Sequence, residues 1–270
     1  MTKQRADILL AEQGLFHSRS AAQRAIMAGL VSDHNHQRID KSGTKFPEGE
    51  KFYVKDDGKK YVSRGGFKLE KALKVFNIDL TDKICLDIGA STGGFTDVAL
   101  QNGAQMVYAL DVGYNQLAWQ LRDDPRVVVM EKQNFRYSKP EDFDQGLPDF
   151  AMTDVSFISL DLIMAPMYAI LKNQCDAVCL IKPQFEAGPE NVGKHGIVHD
   201  HEVHKAVIEH TMQKALEIGF NVLGVDYSPI KGGKGNIEFL IHLQKDEANG
   251  GRNLWQGSPA EVVERAVSGL

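Results

Sequence analysis

Four charged residues stand where an α/β chain would place its chemistry. Asp154 closes the apolar run 149–154, Lys182 closes 177–182, and Glu238 sits at the start of 237–243. Strand ends of one sheet converge on one cleft, and a charged group ending an apolar strand is costly to desolvate unless it is paired. A lysine placed between two carboxylates therefore reads as a working site, and Lys68, near the start of a helical stripe, completes the set. Such a set can hold a nucleophile and manage its proton. Lys182 is the group expected to bond that nucleophile, as a base if burial and Lys68 discharge it, or as a fixed cation steering it if Asp154 and Glu238 keep it protonated. The residues leave both roles open.

A second constellation lies upstream. The run 84–88 enters Gly89-Ala90-Ser91-Thr92-Gly93-Gly94 and then a helical pattern. Beside this first turn an α/β sheet binds its ligand. The glycines follow G-x-x-x-G-G rather than the G-x-G-x-x-G of dinucleotide enzymes, and Asp87 stands two places before the first of them. A carboxylate here repels a pyrophosphate and attracts an ammonium, which favours S-adenosylmethionine over NAD(P). Asp111 ends the next run, about twenty residues on, where an acidic side chain can accept both ribose hydroxyls. Asn134, beyond the third run, is a candidate adenine contact. His195, His199, His201 and His204 crowd one stretch without cysteine or paired carboxylates at ligand spacing, so a solvated or RNA-facing loop is expected there and no metal. The basic loop 231–235 could close over an acceptor beside Glu238.

These residues need a scaffold to hold them. Apolar runs at 84–88, 106–111, 127–131, 149–154, 177–182, 221–227 and 237–243 alternate with helical patterns, the grammar of a doubly wound, mostly parallel, seven-stranded α/β sheet. Leu69, Ala72, Leu73 and Phe76 give a helix over 66–76 that places Lys68 and Lys71 off its buried face. A proline-containing capping box at 258–261 starts a last helix. Ahead of the sheet, 7–13 and 19–26 read as helices, with Ser18 capping the second. Strand-like pieces follow at 37–39 and 51–54. The expected domains are 1–60, a linker 61–66, and 67–270.

Charge divides along the same line. Residues 1–60 carry a balance of +3 and the remainder −8, within an overall −5 across 270 residues. The small module should therefore hold the polyanion, with Lys3, Arg5, Arg19, Arg24 and, from the linker, Arg64 as candidates. The longest uncharged apolar stretch, 162–171, has ten residues and contains Pro166, too short to span a bilayer. No signal peptide is legible, and a cytoplasmic protein is expected. Cys85, Cys175 and Cys179 read as small buried hydrophobes.

The first segment resembles the small α+β RNA-binding domain named after the fourth small-subunit ribosomal protein, matching at Arg5, Asp7, Leu10, Ser18, Arg19, Ala22, Ile26, Gly29 and Val31. It departs at Ala6 and at 32–35. Over nearly its whole length the chain resembles the TlyA, or haemolysin A, family, which joins that domain to an FtsJ-like rRNA 2′-O-methyltransferase. The matching pieces are 63–69, 87–94, 154–157, 181–186 and 235–238. The resemblance implies a Rossmann-like class I methyltransferase sheet, S-adenosylmethionine, catalysis by Lys68, Asp154, Lys182 and Glu238, and a cytidine ribose of ribosomal RNA or a ribosomal subunit as acceptor. A monomer is expected. The competing readings are a membrane-active cytolysin, an NAD(P)-dependent oxidoreductase, and an assembly factor with a vestigial site.

Overall fold

The computed structural model describes residues 3–16, 18–54 and 60–270. It divides into two compact units: 1–60 together with 118–120, and the remainder. In the first, β1 (Lys3–Arg5) leads into α1 (Ala6–Glu12) and α2 (Arg19–Met27), followed by β2 (Val31–Ser32), β3 (Lys45–Pro47) and β4 (Tyr53–Val54). Ser18 caps α2 by accepting from the Ala21 amide at 3.2 Å. Leu9, Leu10, Ala22, Ile26, Val31 and Phe52 form the core of this unit. Two antiparallel ribbons, β1 with β3 and β2 with β4, finish it. The strand expected at 37–39 is a single bridge between Ser32 and Arg38. The β1–β3 pair carries no alternation that would announce it.

The second unit follows the expected grammar. Its elements are α3 (Gly66–Val75), β5 (Ile84–Ile88), α4 (Gly94–Gln101), β6 (Met106–Asp111), the second half of the short α5 (Trp119–Arg122), whose first two residues count with the first unit, β7 (Val127–Glu131), β8 (Phe150–Thr153), α6 (Asp161–Ile170), β9 (Asp176–Ile181), α7 (Pro183–Glu186), α8 (His201–Ile218), β10 (Phe220–Tyr227), β11 (Phe239–Lys245) and α9 (Pro259–Gly269). The sheet order is β10-β11-β9-β8-β5-β6-β7. From β9 to β7 all neighbours are parallel, whereas β11 runs antiparallel to both β9 and β10. Leu86, Tyr108, Ala151, Met164, Cys179 and Phe239 are among the side chains that fill the core around the sheet.

Three local departures matter for the site. Residues 61–66, read as a linker, fold with the second unit: Tyr61 is buried against Gly66, and the Val62 amide donates to Asp97 Oδ2 at 2.8 Å. The last strand begins two residues later than expected, which leaves Glu238 in the loop before it. His201 and His204 lie inside α8, which Asp200 caps, because the helix starts earlier than the histidine-rich stretch suggests. Among the described residues no helix is long and apolar enough to cross a membrane.

Candidate active site

The parallel strands end around a cleft of about 760 Å³ lined by the β5–α4 turn, the segment after β8, the start of α7, and the loop before β11. The turn has the conformation its glycines allow. Gly89 and Gly93 take φ of +85° and +97°, and Gly93 begins α4 from a left-handed position. Gly89, Ala90, Ser91, Thr92 and Gly94 line the cleft with Asp87. Gly93 does not, because it faces the Leu117 and Leu121 side chains.

Asp87 is buried in β5 and accepts from the Thr96 amide at 2.9 Å and the Thr96 hydroxyl at 2.7 Å, both on Oδ2. Its Oδ1 is buried and has no partner. Burial pushes the carboxyl up to about 7 against those two hydrogen bonds. An orphaned carboxylate oxygen in a cleft is what an incoming ammonium would satisfy, so the site fits the amino-acid end of S-adenosylmethionine. Asp111 stands at the end of β6 outside the cleft lining, and its carboxylate accepts from the Ser91 amide at 2.8 Å and the Gly113 amide at 2.6 Å. Those bonds fix its orientation and leave lone pairs free. Asn134 also lies outside the lining and caps a short helical turn by accepting from the Arg136 amide at 3.2 Å. It has a structural use where an adenine contact was expected.

The four charged residues do meet. Asp154 and Lys182 each lie one residue beyond their strands, and Glu238 one residue before β11. Because β11 is reversed, its beginning reaches the edge where the parallel strands end. Lys182 Nζ lies 2.6 Å from Asp154 Oδ1, and Lys68 Nζ lies 3.1 Å from Asp154 Oδ2 and 2.8 Å from Glu238 Oε2. Asp154 thus bridges both lysines, giving an alternating chain of two cations and two anions. Burial would raise the Asp154 carboxyl, but Lys68 and Lys182 outweigh it and hold the group below its ordinary value. Burial would lower Lys68, and Asp154 and Glu238 outweigh that, so Lys68 is raised. Lys68 is only 7% exposed, contrary to its expected place off the buried face, because these two partners draw its ammonium inward.

The loop 231–235 packs against this chain. A methyl built on Gly232 would overlap the Glu238 carboxylate, so only glycine lets the loop approach so closely. Asn236, buried, accepts from the Val198 amide at 3.0 Å and donates to the Gly196 carbonyl at 2.9 Å, tying loop 231–235 to the loop that carries His195 and His199. Among the described residues no cluster of histidine, cysteine and carboxylate is arranged to hold a metal. Sequence reasoning missed Gly232 and Asn236 as positioning residues.

The basic candidates separate into two groups. Lys3 and Arg24 are exposed, and Arg64 is exposed at the cleft rim. Arg5 and Arg19 instead converge on the fully buried Asp7, with Nε to carboxylate distances of 3.0 and 2.9 Å, and Gln23 donates to the same group at 2.6 Å. Burial would raise Asp7, but the bonds from Arg5, Gln23 and Arg19 hold it well below the carboxylate range. The two arginines keep their outer faces toward solvent while helping to hold the unit together.

A doubly wound sheet with its last strand reversed, a glycine turn beside a buried carboxylate, and charged strand ends on one cleft define a class I S-adenosylmethionine-dependent methyltransferase. Residues 61–245 match the family model described as FtsJ-like methyltransferase, and the chain belongs to that family. It is 53% identical to Bacillus subtilis YqxC, named provisionally as an rRNA methyltransferase, over 98% of this chain and 94% of that one. It is 40% identical to the Mycobacterium tuberculosis 16S/23S rRNA (cytidine-2′-O)-methyltransferase TlyA, over 98% and 97%. A solved Streptococcus thermophilus chain described provisionally as a hemolysin is 53% identical with a TM-score of 0.76, covering 99% of this chain and 97% of that one.

Proposed function

We propose that the protein is a cytoplasmic enzyme that methylates the 2′-hydroxyl of a cytidine in ribosomal RNA, with the relatives' activity as the guide to acceptor and position. The observation that carries this reading is the Lys182–Asp154–Lys68–Glu238 chain of ion pairs opening onto the cleft beside the glycine turn. S-adenosylmethionine supplies an electrophilic methyl group when bound. Asp87 would hold its ammonium and Asp111, already oriented by two amides, its ribose, with the turn 89–94 beside its amino-acid end, while Asn134 retains its capping role.

An in-line transfer depends mainly on placing the acceptor oxygen. Lys182 does this as a cation: Asp154 Oδ1, the Asp154 carbonyl and the Ser156 hydroxyl surround its ammonium with three acceptors. From that position it would direct the oxygen lone pair at the methyl and stabilise negative charge developing on oxygen; as the C–O bond forms and the sulfur–methyl bond breaks, the hydroxyl proton leaves to solvent water, since a cationic lysine cannot take it. Asp154 fixes both lysines, and Lys68 with Glu238 fixes Asp154. The N-terminal unit grips RNA phosphates through Lys3 and Arg24 and the outer faces of Arg5 and Arg19, with Arg64 at the cleft rim.

Mapping of ribose methylation on rRNA from cells with and without the protein tests the reading, with Lys182→Ala in parallel. Loss of one or more 2′-O-methylcytidines, absent also with Lys182→Ala although that variant still binds S-adenosylmethionine, is the expected result. An unchanged methylation map would overturn it.

A further inference from the structure

The segment that follows β8 makes three contacts with one ammonium. Asp154 gives Lys182 a carboxylate oxygen at 2.6 Å and its own carbonyl at 3.5 Å, and Ser156 gives its hydroxyl at 2.9 Å. The first two come from the tetrad itself. Ser156 lies outside it, is exposed, and lines the cleft together with Lys182, which is only 7% exposed. Ser156 is therefore the one of these acceptors that comes from outside the tetrad and holds Lys182 at the cleft.

The backbone supports the placement. Phe157, directly after Ser156, takes φ of +64°, a left-handed conformation that is strained for a non-glycine residue. The chain turns away after Ser156 there, and the Phe157 ring goes outward at 90% exposure.

We infer that Ser156 is a positioning residue for methyl transfer: its hydroxyl accepts from Lys182 and fixes the ammonium beside the place the acceptor oxygen occupies. Without Ser156, both remaining acceptors belong to Asp154 and one N–H of Lys182 is left to solvent. Because the serine oxygen accepts through one lone pair, its own O–H and second lone pair stay available to the entering hydroxyl. The inference rests on the proposed acceptor class for its rate readout and on the lysine alone for its second.

Three variants decide it. With the wild-type acceptor RNA, Ser156→Ala is expected to lower the single-turnover methyl transfer rate roughly 10- to 100-fold, the worth of one hydrogen bond from a charged donor. The concentration of RNA giving half-maximal rate and the affinity for S-adenosylmethionine should both stay put. Ser156→Thr keeps a hydroxyl and should recover most of the rate. Independently of any acceptor, proton–nitrogen correlation spectra should show a Lys182 ammonium signal, assigned by its loss in Lys182→Ala. That signal is broadened in Ser156→Ala by faster exchange with water and retained in Ser156→Thr. A Ser156→Ala rate equal to wild type, a Ser156→Thr rate as low as that of the alanine variant, or an ammonium signal indifferent to Ser156 would each overturn the inference. Failure of the wild type to methylate rRNA would refute the acceptor assignment instead, and the ammonium signal would still decide the role of Ser156.

Discussion

Gly232→Ala puts one methyl group into the most crowded contact of the site. The new carbon would overlap the Glu238 carboxylate, and a retreat of about 1.5 Å is needed to reach ordinary van der Waals contact. The loop cannot make that retreat cheaply. The Gly232 amide donates to the Asn236 carbonyl at 2.9 Å, and the Asn236 side chain is bonded in turn to Val198 and Gly196. Glu238 must yield, and its partner is Lys68 at 2.8 Å. Stretching that pair to about 4.3 Å in an effective dielectric of about 20 forfeits about 2 kcal/mol of attraction. If the alignment of Asp154 and Lys182 depends on that pair, transfer slows roughly thirty-fold. Single-turnover methylation measures the rate, and calorimetry checks that S-adenosylmethionine affinity is unaltered. Gly233→Ala is the control, since no atom lies within 4 Å of its added carbon. A Gly232→Ala enzyme as fast as Gly233→Ala would show that the loop does not hold Glu238.

Other expectations concern charge and the N-terminal unit. Burial raises Asp87 to about 7, so this group stabilises the empty protein below the ordinary carboxylate range and loses that contribution as pH rises toward 7. An arriving ammonium reverses the preference: S-adenosylmethionine should bind more tightly from pH 6 to 8 and release about half a proton at pH 7. Calorimetry in buffers of different ionisation enthalpy reads this, and buffer-independent heats would refute it. Asp7 has the opposite sign, since its depressed carboxyl contributes stability above the ordinary carboxylate range that is lost as pH falls. Asp7→Ala should destabilise the first unit by about 2 kcal/mol, less than a fully buried pair because Arg5 and Arg19 are partly exposed. Limited proteolysis within residues 1–54 is the measure, and an unchanged cleavage rate would contradict it. Deletion of 1–60 should leave S-adenosylmethionine affinity intact and abolish rRNA methylation, whereas full methylation by the truncated chain would place the RNA grip elsewhere.

The sheet and three of the four tetrad residues are legible because both rest on local pattern. Apolar runs of about five residues mark strands, and a charge at the end of such a run stands out. Lys68 is different. Helical periodicity places it on the solvent side, yet partners 86 and 170 positions downstream draw it inward, and no helical wheel contains them. Arg5 and Arg19 fail the same way: each reads as a free outward charge until folding brings Asp7 beneath both. Asn134 is not decided by pattern, because an asparagine that caps its own turn has the same sequence appearance as one reserved for a ligand. Gly232 and Asn236 matter through contacts between loops, and loop against loop leaves no periodic trace.

The reversal of β11 also distributes responsibility along the gene. β5 and β6 with the turns that follow them, all before residue 132, carry the groups suited to the nucleoside and amino acid. β8, β9 and β11, all after residue 149, carry the groups suited to the acceptor apart from Lys68. The inverted strand brings the loop before it, rather than one after it, to the cleft, and Glu238 follows that loop directly in the chain. On the proposed function, exchange of the later segment between related chains is expected to alter acceptor choice and leave binding of the methyl donor as it was.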